Sequence, residues 1–421
     1  MPTIESTTKY LEEFSYSDDQ TQLSIIPPAP RPTIKEIVYM REIAVPLYIN
    51  EYWTSRQRQT SSIQEISYRA CFKPQLPRFF IELLTGPGNT VYDPFAGRGT
   101  TTLEAALLGR KVIANDINPL SRILTEPRLN PPSGESIKKR LQEIPFRGEA
   151  VQDLDLSMFY HPRTETELLS LREYLNHKKH KQGEDPVDRW IRMVATNRLS
   201  GHSKGFFSVY TMPPNQAVSA ERQKKINLDR NQKPGYRNIR ELIIRKSNQL
   251  MRGMNERQVK ALKEAWKSAV FLEKDASETE EIPAKSVDLT VTSPPFLNVV
   301  QYSSDNWLRC WFNHIETETI EKKISMASTL KEWSAVMGTV FKELYRITRP
   351  GGWVAFEVGE VRGGKIKLEE AVVPLGLQCG FECAGVVVNL QNFTKTSNIW
   401  GVKNNQAGTN SNRIVLFTRP G

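Results

Sequence analysis

The sequence predicts an α/β fold: a doubly wound, mostly parallel, seven-stranded sheet with a largely helical insertion. Three observations lead there. A strand–turn–helix–strand unit runs through TVYDPFAGRGTTTLEAALLGRKVIANDIN, which is how a parallel sheet begins. Alternation of strand and helix resumes after residue 266. Between them lie about 140 residues of charged helical stretches and loops, far more than an ordinary connection needs. The reading divides the chain into an N-terminal arm (1–60), an α/β domain in two pieces (61–123 and 267–421) and a helical insertion (124–266).

The elements follow in order. Residues 1 to about 60 open polar, and PPAPRP at 27–32 marks an extended linker before an expected short helix. LPRFFIELLT reads as a helix that ends at Gly-Pro-Gly. TVYDPF is the first strand, TTLEAALLG a helix and KVIANDIN the second strand. After the insertion, AVFLEKDA, SVDLTVTSPPF and GGWVAFEVG read as the third, fourth and fifth strands. STLKEWSAVMGTVFKELYRI is the helix before the fifth, and AGVVVNLQNF and NRIVLFTR complete the seven.

Composition removes several classes of function. The 421 residues are 39% hydrophobic and 25% charged, the balance of a globular protein rather than a disordered one. No run of about 18 apolar residues occurs, so no membrane span is expected. The start MPTIESTTKYLEEF lacks a basic, apolar leader, and a cytoplasmic location is the simplest expectation. Four cysteines (Cys71, Cys310, Cys379, Cys383) form no Cys-x-x-Cys pair, and the five histidines show no His-Glu-x-x-His spacing. No metal site is expected.

The charge is concentrated. The chain carries 57 Lys or Arg against 47 Asp or Glu, a net +10; from Arg222 to Lys267 alone there are fourteen cations and four acids. Just before this segment, Phe206, Phe207 and Tyr210 interleave with Gly, Ser and Pro. Basic residues beside surface aromatics would suit a phosphate backbone and unstacked bases. The plainer reading is the solvated face of amphipathic helices, with Ile239, Leu242, Ile243 and Leu250 inward.

The turn in DPFAGRGTT places Asp93 at the end of the first strand, Gly97 and Gly99 in the bend and Thr100 at the helix start. Glycines let a ligand lie against the backbone, and the helix start offers free N–H groups. No Lys follows the second Gly, so this is not a Walker loop, and the three-glycine dinucleotide fingerprint is missing. A carboxylate at Asp93 would repel a pyrophosphate but attract an ammonium group. Asp116 closes the second strand, where a carboxylate can accept bonds from two ribose hydroxyls. Together they indicate a nucleoside cofactor with an amino acid moiety; the alternative is a tight turn with an acidic cap.

The fourth strand runs into Thr292-Ser293-Pro294-Pro295-Phe296. Two prolines end strand pairing and remove two N–H donors, so the corner presents carbonyls. The Ser293 hydroxyl and Pro294 carbonyl can accept the two N–H bonds of an exocyclic amine while Phe296 stacks on its ring. A strand that merely ends at a proline turn would look similar. Its place at the carboxyl end of a sheet strand favours the functional reading.

DPFAGRGTT and TSPPF resemble the cofactor and catalytic motifs of the S-adenosylmethionine-dependent DNA amino-methyltransferases, in particular those that methylate cytosine N4 in restriction–modification systems. The resemblance covers most of 65–121 and 265–418. It implies that Lys73 and Pro74 lie near the methionine part of the cofactor, that Asp93, Phe95, Gly97 and Gly99 contact methionine, Asp116 the ribose and Asp275 the adenine. Ser293, Pro294, Pro295 and Phe296 would hold the flipped base. Two departures stand out: the Ser-Pro-Pro-Phe group often has that motif before the Gly-rich one, and Arg98 stands where a small residue is usual.

The implied reaction is direct attack of a cytosine amine on the sulfonium methyl, with the insertion gripping duplex DNA through candidates Arg222, Lys224, Lys225, Arg230 and Lys233. A partner restriction endonuclease acting on the same site is also implied. Carbon-5 methylation needs a nucleophilic thiolate, usually preceded by Pro, and no cysteine here is so placed. Adenine N6 methylation is the runner-up, since the same amine geometry serves it. RNA amino-methylation and a non-catalytic DNA-binding subunit are the remaining alternatives.

Overall fold

The computed structural model describes residues 1–16, 31–53, 61–69, 71–146, 154–212, 217–295, 302–318, 327, 329–361, 366–390 and 411–421. Its centre is one nine-stranded sheet. In chain order the strands are β1 (Ile34–Met40), β2 (Ile43–Asn50), β3 (Thr90–Asp93), β4 (Lys111–Asn115), β5 (Val270–Leu272), β6 (Val287–Thr292), β7 (Thr348–Val358), β8 (Glu382–Leu390) and β9 (Ser411–Thr418). Their spatial order is β1-β2-β8-β9-β7-β6-β3-β4-β5. The pairs β5/β4, β4/β3, β3/β6, β6/β7 and β8/β2 are parallel; β9 is antiparallel to both β7 and β8, and β1 to β2.

All seven expected strands are present, and two more extend the edge beyond β8. Residues 1–16 and 31–53 are therefore not an arm, while most of the proline run at 27–32 lies outside the described residues. The short helix expected after the proline run is replaced by the β1–β2 hairpin, and a helix α1 (Ile4–Glu13) precedes it. Leu11 of α1 is fully buried, and the Trp353 indole donates to the Pro2 carbonyl at 3.2 Å, so the N-terminus docks on the main sheet.

Burial alternates along the strands because successive side chains point to opposite faces. Val91, Trp353, Ala355, Val387, Ile414 and Leu416 face one layer, formed by α1, α2 (Gln75–Leu84), α3 (Thr100–Leu107) and a helix at Glu256–Trp266. Tyr92, Val354, Phe356, Val386, Val415 and Phe417 face the other, formed by helices at Leu330–Ile347 and Glu369–Gln378. Every residue of β6 is buried, as expected for a central parallel strand covered on both faces.

The insertion is helical as expected: α4 (Leu120–Leu129), α5 (Gly134–Glu143), α6 (Pro162–His177), α7 (Pro186–Arg198), α8 (Ala220–Asp229), α9 (Ile239–Met251) and α10 (Glu256–Trp266). It has its own core around Phe159, Trp190, Ile191, Val194, Ile243 and Leu250. Leu262 and Ala265 of α10 instead pack with the sheet, so the last helix of the segment belongs to the α/β layer. Helix α11 (Tyr302–Phe312), which follows the tetrapeptide, joins the two bodies. Leu308 and Phe312 enter the insertion core, and the Asn313 side chain donates to Thr196 Oγ1 at 2.9 Å. Among the described residues no helix is long and apolar enough to cross a membrane. The remaining helices are α12 (Leu330–Ile347) and α13 (Glu369–Gln378).

Candidate active site

Strands β3 and β6 lie side by side, but the chain leaves β3 for β4 on one side and β6 for β7 on the other. At such a reversal a crevice opens beyond the carboxyl ends of the strands. Both sequence motifs end there. The Thr292 hydroxyl donates to Asp93 Oδ1 at 2.7 Å, and the Phe95 amide donates to the same oxygen at 3.1 Å. Thr101 ties the glycine helix to the neighbouring strand by donating to the Val291 carbonyl at 3.1 Å. Asp93 is 1% exposed, and burial pushes its carboxyl up to about 7.

The bend between β3 and α3 uses its glycines in two ways. Gly97 and Gly99 have φ of +51° and +73°, which side chains rarely adopt. A Cβ on Gly99 would also come within 3.0 Å of the Thr125 side chain, so that position is closed by packing. The Gly97 amide donates to Asp116 Oδ2 at 2.8 Å and the Asn118 amide to Asp116 Oδ1 at 2.9 Å. The Asp116 carboxyl is pushed up by burial to about 6. Two residues on, the buried Asn118 Nδ2 has no acceptor among the described residues.

Asp275 lies just past β5 in an exposed turn, where its Oδ1 accepts from the Ser277 amide at 2.9 Å and hydroxyl at 2.7 Å. Pro74 is buried at the start of α2, with exposed Lys73 before it. Phe95 is half-buried in the turn.

Arg98 has a structural use. It donates to the carbonyls of Ile66 (2.7 Å) and Phe72 (3.5 Å), while Arg128 holds Ile63 and Lys246 holds Glu65 through their carbonyls. Asn197 and Arg309 both donate to the Ser67 carbonyl, at 3.0 and 3.1 Å. The segment before α2 is thus strapped from the glycine turn, from the insertion and from α11. It carries Tyr68, whose ring carbons lie 3.7 Å from the place a Cβ on Gly97 would take. Nothing local in SYRACFKP marks this lid over the turn.

At the double-proline corner Ser293 and Pro295 are half-buried and Pro294 is buried; Phe296 lies outside the described residues. The Pro295 carbonyl is taken by the Trp333 indole at 2.9 Å. The Ser293 hydroxyl hydrogen-bonds to Glu357 at the carboxyl end of β7, whose other partner is the Asn412 amide at 2.7 Å. Burial pushes the Glu357 carboxyl up. With its hydrogen committed to Glu357, the Ser293 oxygen keeps lone pairs for an incoming N–H. Sequence reading missed Glu357. The available signal was a lone acid in the apolar run WVAFEV, near the end of a predicted strand.

The five candidate DNA contacts are all exposed. Arg222, Lys224 and Lys225 lie on α8, Arg230 caps its end and Lys233 follows in the next turn. Two of the aromatics expected at the surface are not there. Phe207 is fully buried in the insertion core, and Phe206 is 4% exposed beneath the Arg198 guanidinium at 4.0 Å. Only Tyr210 remains partly accessible, covered by Arg230 at 3.8 Å. A cavity of about 680 Å³ opens between α8 and α11, lined by Arg69, Leu156, Val218, Arg222, Asp305 and Trp307. Asp93, Asp116 and Ser293 are not among its lining residues.

Comparison with known proteins finds likeness over part of the chain. A family model described as DNA methylase, of the N6/N4 type, matches residues 18–122, which include the glycine turn and Asp116. The Type II methyltransferase M.BsoBI of Geobacillus stearothermophilus is 24% identical over 256 residues, 56% of this chain and 50% of that protein. The Type II methyltransferase M.MvaI of Kocuria varians is 32% identical over 82 residues, 19% of this chain and 18% of that protein. The chain thus spans half or less of the length of these relatives. Among solved structures, a SAM-dependent methyltransferase from Methanosarcina mazei overlaps 81% of this chain and 97% of its own, at 11% identity and a TM-score of 0.31. The strand order described above stands independently of that slight overlap.

Among the described residues no group of three or more His, Cys, Asp or Glu is arranged to hold a metal ion. The rim instead gathers Asp93, Asp116 and Asp275 beyond three neighbouring strand ends. Such a set suits a ligand with an amino acid ammonium group, a positively charged centre and a ribose.

Proposed function

We propose that this chain is an S-adenosylmethionine-dependent DNA methyltransferase of the kind found in type II restriction–modification systems, and that it methylates the exocyclic N4 amine of a cytosine flipped out of duplex DNA. The observation that carries the reading is the 2.7 Å hydrogen bond from Thr292 to Asp93, which joins the cofactor-type turn to the double-proline corner at one crevice. A protein that only binds DNA has no use for both a cofactor pocket and a base pocket.

The residues fit the cofactor. The positive-φ bend lets a ligand lie on the backbone, three carboxylates line the rim, and the buried Asn118 amide has a donor to give. S-adenosylmethionine, when bound, supplies an electrophilic methyl. Asp93, Phe95, Gly97 and Gly99 hold its methionine end, with Lys73 and Pro74 beside it; Asp116 takes the ribose and Asp275 the adenine side.

The Ser293 hydroxyl and the Pro294 carbonyl accept the two amine hydrogens, and Phe296 stacks on the base. Held this way, the amine presents its lone pair out of the ring plane, and orientation supplies most of the rate. Glu357 acts through Ser293 as a positioning residue. Arg222, Lys224, Lys225, Arg230 and Lys233 grip phosphates, and a restriction endonuclease of the same specificity is the expected partner.

Incubating the chain with methyl-labelled S-adenosylmethionine and genomic DNA tests the proposal. Label should enter DNA and not RNA, and digestion to nucleosides should yield N4-methylcytosine. N6-methyladenine in its place would assign the same machinery to the other amine. Cofactor binding with no incorporation into any DNA would sink the enzymatic reading.

A further inference from the structure

Leu228, near the end of α8, is 80% exposed, more than any other large apolar residue described. Only Gln223 of this ten-residue helix is buried. The helix is nevertheless fixed in place: Asn227 Nδ2 donates to the Met158 carbonyl at 2.8 Å, and Gln223 and Gln232 both donate to the Tyr210 carbonyl, at 3.0 and 2.9 Å. The Arg230 guanidinium sits over the Tyr210 ring, 3.8 Å from its centre.

The surroundings of Leu228 are cationic. Lys224 and Lys225 stand one turn back on the same helix face, Arg230 and Lys233 follow, and Arg222 lies at the other end. Five cations against two acids, Glu221 and Asp229, mark residues 220–235 as a surface for a polyanion. An isolated leucine on a rigid, positive projection has the form of the apolar wedges that enter a base step and unstack it. At 1.5 Å per residue, Leu228 stands about 12 Å along α8 from Ala220. Residues Ser219–Arg222 at that end line the 680 Å³ cavity together with Ser304 and Asp305 of α11, the helix that follows the double-proline corner.

We infer that Leu228 is the wedge of this protein: it enters the duplex while Lys224, Lys225 and Arg230 hold the flanking phosphates, and it fills the space of the base that moves to the crevice. This rests on the duplex-DNA reading above and adds a residue to it. The role is one of positioning, because Leu228 touches neither the methyl nor the amine. Truncation should slow extrusion of the base and leave phosphate binding nearly intact. An opponent mismatched to the target base should relieve the defect, since a mispaired base is already partly unstacked.

The test uses the full chain and a duplex carrying its methylated site, identified by sequencing DNA from cells that express it. Turnover is read on this unmodified duplex; fluorescence is read on a second one in which an analogue without the reactive amine replaces the target base, pyrrolocytosine for cytosine or 2-aminopurine for adenine. The expected result is that Leu228→Ala lowers turnover and the fluorescence rise by roughly tenfold or more, about 1.4 kcal/mol. Duplex affinity should change less than about threefold, Leu228→Met should keep most of the activity, and a mismatch should restore the alanine variant. Exposure of Leu228 makes misfolding an unsuitable explanation. Equal turnover and fluorescence in wild type and Leu228→Ala would overturn the wedge alone, as would a defect that no mismatch relieves. A wild-type dimer broken by Leu228→Ala, with fluorescence unchanged, would reassign the side chain to self-association. If the wild type methylates no DNA, the enzymatic reading and the wedge fall together.

Discussion

The Ser293 hydroxyl points its hydrogen at the Glu357 carboxylate, which a 2.7 Å bond from Asn412 fixes in place. Strands β6, β7 and β9 therefore cooperate to set which way one hydroxyl faces. A serine so oriented can only accept from an amine, and this makes Glu357 a determinant of turnover. Glu357→Gln can donate its own amide hydrogen to Ser293 and reverse the hydroxyl. Its kcat should fall roughly 10- to 100-fold, while KM for the cofactor stays within about twofold. Steady-state kinetics would check this, and equal kcat in the two proteins would detach Glu357 from the reaction.

Asp93 gives the site a pH dependence whose sign is fixed. Its folded carboxyl titrates near 7, well above the usual carboxylate range, because it is buried. A raised acid pKa favours the folded state when the group is protonated. That contribution is complete below about pH 4 and is lost as pH rises through 7. Asp93→Asn should therefore be more stable than the wild type above pH 7, by roughly 1–3 kcal/mol. The same variant should bind S-adenosylmethionine more weakly, and wild-type affinity should drop toward tenfold per unit as pH falls below 7. Thermal melts and calorimetry from pH 5 to 9 would check both, and a pH-independent difference in melting between variant and wild type would contradict the assignment.

Gly99→Ala should fail for a steric reason before a functional one. The added methyl meets Thr125 at under 3.0 Å, and the residue must also hold a positive φ. A loss of about 1–3 kcal/mol is expected from the two effects. The double variant with Thr125→Ser removes part of the clash and should recover some of that loss in a denaturant titration. No recovery would mean that the Thr125 methyl is not the source of the loss, leaving the positive φ and the remaining contacts of residue 125.

What was legible in the sequence, and what was not, divides by the range of the interaction. Runs such as VDLTVT and GVVVNL identify central strands because alternating or continuous apolar residues carry their own burial signal. The glycine turn and the acids Asp93 and Asp116 were likewise readable, being local to one βαβ unit. The hairpin of β1 and β2 was missed because PPAPRP at 27–32 reads as a linker before a short helix, and only pairing with β8 turns the following segment into sheet. Phe206 and Phe207 looked like surface aromatics among Gly and Ser, but the insertion core claims the second and Arg198 covers the first. Glu357 stayed hidden because its partner lies sixty-four residues earlier in the chain.

The cations of α8 should be separable from the chemistry by salt. Lys224 and Lys225 are exposed on the helix, with no ion pair to an acid within the described residues. If they neutralise phosphates, each contributes about one released counterion, so the double variant Lys224→Ala, Lys225→Ala should flatten the slope of log affinity against log salt by nearly 2. Binding should weaken by a similar factor on any duplex, because phosphate contacts carry no sequence information. The modified position in cellular DNA should stay the same. Arg230 is a poorer probe, since removing it also uncovers Tyr210 and so mixes a charge effect with a packing one. Fluorescence anisotropy between 50 and 300 mM salt would measure the slope. An unchanged slope, with methylation retained, would move the duplex to another face of the insertion.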